Sequence, residues 1–160
     1  MIDHSLKCIF VHQPRTAGTS IEYALCGTDW WFVEPGTKHL AATVAKDVYA
    51  GYWHDYLKFS VVREQQSWLE SLYATFGRGD GKPKPGEELE PHPCGVGPMA
   101  VEDYMKRRLF LKHEAGFTDD QEANTAGVDF ILRFESLQGD WLELCRILGI
   151  SATLPWMNRR

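Results

Sequence analysis

Cationic and hydroxyl-bearing side chains are concentrated in one short polar segment near the start of the chain. The apolar run Cys8–Val11 is typical of a buried strand, a polar turn covers residues 12–19, and residues 20–25 have helical spacing. A strand, a tight loop and a helix start direct several backbone N–H groups and the positive end of a helix dipole at one point. Further donors would come from the side chains of Arg15, Thr16, Thr19 and Ser20. The segment therefore predicts either a phosphate or sulfate site or an ordinary turn in which Ser and Thr cap the helix.

A second cation follows another strand pattern. Residues Leu57–Val62 are predicted to form a strand that ends at Arg63, and a helix with a large apolar face follows at once. In open parallel sheets, ligands bind at the carboxyl ends of the strands. Arg63 and the loop at residues 14–19 are therefore expected to lie on the same edge of the sheet, which favours an anion site.

The other elements alternate between strand and helix. Their predicted positions are a strand over 29–33, a helix over 38–49, a helix over 100–113, a strand over 130–134 and a helix over 137–148. Glycine and proline crowd residues 77–98, which are predicted to form a long irregular loop. The alternation predicts an α/β fold of three layers, α/β/α, with a central parallel sheet covered on both faces.

Composition limits the kind of protein this is. With 160 residues and 44% apolar composition, the chain is predicted to form one domain over residues 1–160. Its formal charge of −5 argues against nucleic acid or an acidic membrane as a partner. The four widely spaced cysteines favour free thiols over disulfides. No signal peptide or membrane span is visible, so a cytoplasmic location is expected. The oligomeric state is left open.

Metal binding is not expected. His92, Cys94 and His113 are the nearest approach to a ligand cluster, but their spacing matches no zinc pattern.

Two motifs and the tail resemble the sulfotransferases. Residues 14–20 read PRTAGTS, similar to the family's phosphosulfate-binding loop, PKTGGTS. In VVREQQSWLESLY, Arg63, Ser71 and Tyr73 stand where the family has the Arg, Ser and Tyr that bind the 3′-phosphate of the donor. The segment from residue 128 onward resembles the closing strand and helix of carbohydrate-type and bacterial members. The resemblance implies a sheet of the P-loop NTPase-like kind.

The resemblance implies a donor, a reaction and a set of site residues. The donor would be 3′-phosphoadenosine 5′-phosphosulfate (PAPS), and its sulfuryl group would pass to a hydroxyl of a small-molecule or glycan acceptor without a metal. The donor would be held by Pro14, Arg15, Thr16, Ala17, Gly18, Thr19, Ser20, Arg63 and Ser71. Arg15 would also act in catalysis by stabilising charge on the sulfuryl group and the leaving phosphate.

The catalytic base implied by the resemblance is His39, which lies in KHLAA between the two motifs. His12, His54 and Glu22 are alternatives. Gln121, in FTDDQ, is similar to a family glutamine near the acceptor site. An aromatic side chain should stack on the adenine, but the sequence singles out none among Trp30, Trp31, Trp53 and Trp68.

The motifs depart from the family pattern at three places. Arg15 stands where most members have Lys, Ala17 replaces a Gly, and Glu64-Gln65 replaces Asn/Asp-Pro. Arg keeps the charge but cannot donate its proton at neutral pH, and Ala fits only where the backbone does not need a positive φ. A second hypothesis is therefore a catalytically degenerate domain that binds PAPS, or its product 3′-phosphoadenosine 5′-phosphate (PAP), without transferring the sulfuryl group.

Overall fold

The computed structural model describes residues 1–76, 116–118 and 120–157, with the side chains of residues 73–76 left out. The predicted loop over 77–98 and the predicted helix over 100–113 lie outside the described residues. So do His92, Cys94, His113 and the side chain of Tyr73.

The fold is mixed α/β, built on a mostly parallel sheet of four strands. In spatial order these are β1 (Ile2–Asp3), β2 (Cys8–Val11), β3 (Leu57–Val62) and β4 (Phe130–Arg133). β1 runs antiparallel to β2, whereas β2, β3 and β4 are parallel to one another. The two sequence motifs, at residues 14–20 and from Arg63 onward, follow the parallel strands β2 and β3, so they leave the sheet at the same edge, as predicted.

Five α-helices accompany the sheet within the described residues. They are α1 (Gly18–Cys26), α2 (Ala42–Val48), α3 (Gln65–Phe76), α4 (Gln121–Asn124) and α5 (Leu137–Leu148). Gly27 and Gly149 end α1 and α5 in the left-handed conformation that favours glycine. None of the helices in the described ranges has the length and hydropathy needed to cross a membrane.

The core lies on both faces of the sheet, because alternate residues of β2 point to opposite sides. One cluster contains Cys8, Phe10, Ile21, Phe59, Leu132, Trp141 and Leu144, so α1 and α5 cover that face. The other contains Ile9, Val11, Ala42, Ala45, Tyr49 and Trp53, so α2 covers the opposite face. The sheet therefore carries helices on both sides and fixes the loops at its carboxyl edge.

Two predictions about residues 29–49 are wrong. The predicted strand over 29–33 is a 3₁₀ turn, Trp30–Phe32, because the carboxylate of Asp29 accepts a hydrogen bond from the Trp31 amide and starts a turn. Trp31 and Phe32 are exposed, so their apolar character does not mark a buried strand. The helix predicted to begin at Lys38 begins at Ala42, after a second 3₁₀ turn, Pro35–Thr37. Lys38 and His39 thereby lie in a connection, where their side chains can turn back toward α1.

Candidate functional site

The loop between β2 and α1 holds two non-glycine residues in the left-handed region. Arg15 and Ala17 both have φ of 66°, and Ala17 is the residue that precedes the first turn of α1. The carbonyl of Ala17 accepts hydrogen bonds from the amides of Ser20 and Ile21 at 2.9 and 3.4 Å. The buried hydroxyl of Thr16 donates to the Gln13 carbonyl at 2.8 Å. These hydrogen bonds hold the loop in one conformation and join it directly to the first turn of α1.

A cavity of about 1070 Å³ lies in front of this loop. Seven of the nine residues predicted to bind the donor line it: Arg15, Ala17, Gly18, Thr19, Ser20, Arg63 and Ser71. Among the described residues, Pro14 and Thr16 are not part of the lining. The Pro14 carbonyl accepts from the indole of Trp68, and Thr16 braces the loop from within. The volume is that of a site for a nucleotide-sized ligand.

Arg63 lines the cavity, and in the part of the chain that the structure describes it makes its hydrogen bonds with uncharged groups. Its Nε donates to the hydroxyl of Ser67 at 2.9 Å, and an amino group lies 3.5 Å from the Arg15 carbonyl. The guanidinium carbon lies 4.4 Å from the ring centroid of Phe134. These contacts orient the guanidinium, and its charge also acts on the neighbouring carboxylate of Glu64 and helps to lower the pKa of that group.

The two serines of the second motif, Ser67 and Ser71, bind different arginines. Ser71, predicted to flank the same phosphate as Arg63, accepts a hydrogen bond from Nε of Arg15 at 3.2 Å. Ser67, which the sequence did not single out, is the serine bound to Arg63. Its position four residues after Arg63, one helical turn along, is the signal that could have identified it.

Behind the loop lies a buried cluster of charges. The carboxylate of Glu22 accepts from Nδ1 of His12 at 2.6 Å, from Nζ of Lys38 at 2.7 Å and from the Trp30 amide at 3.0 Å. Lys38 also forms a short ion pair with Asp29. His12, Glu22 and Lys38 are all buried. The cluster ties the start of α1 to the connection that carries His39.

The cluster sets the protonation of its members. Burial alone would raise the pKa of Glu22, but the hydrogen bond and charge of His12 and the hydrogen bonds from Lys38 and the Trp30 amide outweigh it and lower that pKa from 4.5 to about 2. Burial lowers the pKa of His12 below 6.5, against the opposing influence of Glu22. An ionised carboxylate held by three donors and fully buried is a poor base, so Glu22 is disfavoured in that role.

His39 lies beside His12. The rings of His12 and His39 meet edge to face with their centroids 4.4 Å apart, and Nδ1 of His39 lies 3.2 Å from the His12 carbonyl. A carbonyl can only accept, so Nδ1 of His39 donates in this contact. His12 is 3% exposed, whereas His39 is partly exposed. Within the described part of the chain, His12 lines the cavity and His39 does not.

Gly18 packs directly against the ring of His12, a member of the charge cluster. A methyl group added at Gly18 would lie 2.1 Å from Nε2 and Cδ2 of His12. Real side chains do not approach so closely, so a larger residue here would displace the His12 ring. The absence of a side chain at Gly18 is what lets the imidazole pack beneath the start of α1.

The acidic departure at Glu64 has a structural role. Its carboxylate accepts from the amides of Gln66 and Ser67 at 2.9 and 2.7 Å, so it caps α3 as Asn or Asp does in many helices. These hydrogen bonds lower the pKa of Glu64. The carboxylate is thus committed to the start of α3, and its negative charge is directed at the helix dipole.

The left-handed backbone of Ala17 predicts how a substitution there changes stability. Ala17→Gly should raise the free energy of unfolding by about 1 kcal/mol, because a left-handed φ strains any residue with a Cβ. The expected rise in melting temperature is about 2–4 °C, measured by calorimetry. The matched control is Ala24→Gly within α1, which should lower stability by about 1 kcal/mol. A loss of stability in both variants would contradict the strain at Ala17.

The chain was also compared with known proteins. No family model matches it, and neither the curated proteins nor the solved structures include a match. A function must therefore be inferred from the geometry of the cavity and from the two sequence motifs.

Proposed function

We propose that this protein is a PAPS-dependent sulfotransferase with a sheet of the P-loop NTPase-like kind. One observation carries the proposal. Arg15 and Arg63, which follow two adjacent parallel strands, both line the cavity that opens at the start of α1. Two guanidinium groups facing one cavity favour a ligand with two separate anionic groups.

The donor PAPS presents such a pair of groups. Its 5′-phosphosulfate would sit against the loop at residues 14–19, where the first amides of α1 and Arg15 can donate to it. Its 3′-phosphate would lie against Arg63, whose hydrogen-bond partners among the described residues are uncharged groups. The two cationic segments are close in space, because an amino group of Arg63 lies 3.5 Å from the Arg15 carbonyl.

One wall of the cavity is apolar and suits a nucleoside. Phe134, Leu154, Pro155, Trp156 and Met157 line it, and the amide of Met157 lies 3.3 Å from the Ser20 hydroxyl, so this segment crosses the start of α1. Apolar and aromatic surface beside a phosphate site is what an adenine ring requires.

In the proposed reaction, the acceptor hydroxyl oxygen forms a bond to sulfur while the bond between sulfur and the 5′-phosphate oxygen breaks. PAP leaves with the electron pair of that bond. The acceptor proton passes to Nε2 of His39, whose other nitrogen is held by the His12 carbonyl. Arg15 and the loop amides stabilise the charge that develops on the sulfuryl and phosphate oxygens. The acceptor would be a small molecule or a glycan that carries a hydroxyl group.

A second candidate is a domain that binds PAP or PAPS without transfer. Arg15 favours it, since most members of the resembling family carry Lys at that position. Transfer of labelled sulfate from PAPS to a panel of hydroxyl acceptors separates the two candidates. Tight binding of PAP with no transfer to any acceptor would favour the degenerate domain.

Calorimetric titration tests the binding site itself. PAP should bind more tightly than AMP, which lacks the 3′-phosphate. Arg63→Ala should weaken PAP binding by about 10–100-fold, the equivalent of one charged hydrogen-bonding group, and should leave AMP binding unchanged. Arg146→Ala is the control, because Arg146 is exposed on α5 and pairs with Glu143. Equal binding of PAP and AMP by the unaltered protein would refute the proposed site.

A further inference from the structure

The backbone of Arg63 is held by a single side chain from a distant part of the sequence. Oε1 of Gln121 accepts from the Arg63 amide at 2.9 Å, and Nε2 of Gln121 donates to the Arg63 carbonyl at 2.8 Å. The same Nε2 donates to Oε1 of Gln65 at 2.9 Å. Gln121 is 8% exposed, so these contacts are largely shielded from water. The carboxamide thus satisfies both polar groups of the Arg63 backbone.

The need for this contact follows from the sheet. β3 pairs with β4 as far as Val62 and Arg133, and with β2 only as far as Ser60 and Val11. Arg63 is the first residue beyond that pairing. A carboxamide carries one acceptor and two donors, so it can bind a backbone amide and carbonyl as a neighbouring strand does. Gln121 therefore extends the ordered part of β3 to the residue that carries the cation.

The same short helix also reaches the first loop. Nδ2 of Asn124 donates to the Thr118 carbonyl at 2.8 Å and lies 3.4 Å from Oε1 of Gln13. Nε2 of Gln13 donates in turn to the Val61 carbonyl at 3.3 Å. α4 thus contacts both segments that carry the cavity cations, one through Gln121 and the other through Asn124.

We propose that Gln121 is a positioning residue for recognition of the 3′-phosphate: its carboxamide fixes the backbone of Arg63 and so directs the guanidinium at that group. The inference rests on the proposed function, because it assigns Arg63 to the 3′-phosphate. It differs from the role near the acceptor that the family resemblance implies for Gln121, since the carboxamide contacts the donor side of the cavity through Arg63.

The test compares two ligands that differ only in the 3′-phosphate. Kd values for PAP and AMP are measured by calorimetry for the intact chain and for Gln121→Ala, Arg63→Ala and the combined variant. Gln121→Ala should reduce the preference for PAP on the order of tenfold, with AMP binding unchanged. The combined variant should show no greater loss than Arg63→Ala alone, because Gln121 acts through Arg63. Glu122→Ala, an exposed change on the same helix, should leave both affinities unchanged.

Gln65→Ala gives a second test in which the carboxamide of Gln121 is kept. It removes the acceptor that orients Nε2 of Gln121 and should also reduce the preference for PAP, by a smaller factor. Equal weakening of PAP and AMP in Gln121→Ala would show a general structural role and overturn the inference. Should Gln121→Ala not fold, an unchanged preference in Gln65→Ala would overturn it. If the unaltered chain does not prefer PAP over AMP, the proposed function is overturned as well. If the unaltered chain prefers PAP and Gln121→Ala keeps the same preference, the inference alone is overturned.

Discussion

His39→Ala is expected to slow sulfuryl transfer by about 10²–10⁴-fold, the range that a positioned general base contributes. The affinity for PAP should change little, because His39 does not line the described part of the donor cavity. The measurement is the rate of transfer of labelled sulfate from PAPS to the best acceptor of a panel, together with the Kd for PAP. A loss of rate without a loss of affinity assigns His39 to the chemical step.

His54→Ala is the matched control, because His54 is exposed and lies away from the cavity lining. It should keep the full rate. His12→Asn distinguishes the two neighbouring histidines. Asparagine has an amide that can donate toward Glu22, as the ring of His12 does, but it has no imidazole that could act as a base. Full activity in His39→Ala, combined with a large loss in His12→Asn, would move the role of base from His39 to His12.

Glu22→Gln is expected to lower the free energy of unfolding by about 3–5 kcal/mol, because it removes the charge that compensates a buried ammonium group. Of the two anionic partners of Lys38 in the described residues, Asp29 would remain. Urea denaturation followed by fluorescence or circular dichroism measures the change. Glu143→Gln is the control: its partner Arg146 is 75% exposed, and such surface pairs contribute less than about 1 kcal/mol.

Removing both buried charges separates charge compensation from packing. Glu22→Gln combined with Lys38→Met should be less destabilised than Glu22→Gln alone, since the buried ammonium that has lost one of its two carboxylate partners is then removed as well. If the double variant were the less stable of the two, the destabilisation would come from lost packing around Glu22.

The same cluster predicts how stability depends on pH. Glu22 has a lowered pKa in the folded state, so its contribution is complete above about 4.5 and is lost as the pH falls toward about 2. The pKa of His12 is also lowered, so below about 6.5 the unfolded chain binds a proton that the folded chain does not. Both effects make stability fall as the pH falls. Urea midpoints from pH 7 to pH 3 should therefore decrease, and Glu22→Gln should flatten the decrease below pH 4.5.

The sequence predicts those parts of the fold whose residues repeat at regular spacing. β2, β3 and α5 have the predicted bounds because each buries a continuous or periodic set of apolar side chains. The segment at 29–33 has strand-like composition, but the local hydrogen bond of Asp29 favours a turn. β1 was not predicted, since a strand of two residues is too short to show an alternation of apolar and polar side chains.

For the site, the two motifs predict the elements correctly but not all of the contacts. The motif around Arg63 names Ser71, whereas the hydroxyl bound to Arg63 belongs to Ser67. The burial of Glu22 and Lys38 could not be predicted, because each is polar by itself and buried only through a partner 16 residues away. Gln121 likewise lies 58 residues from the backbone that it holds.

Gly18 has a consequence for how mutational data on this protein should be interpreted. In a saturation scan selected for ligand binding, every substitution at Gly18 should score as inactive, because any side chain would meet the His12 ring. Gly18 also lines the cavity, so such a result invites the conclusion that it touches the ligand. Pairing each Gly18 variant with a smaller residue at position 12 distinguishes the two causes: binding recovers if the clash with the imidazole was responsible, and stays lost if the ligand itself needs the space.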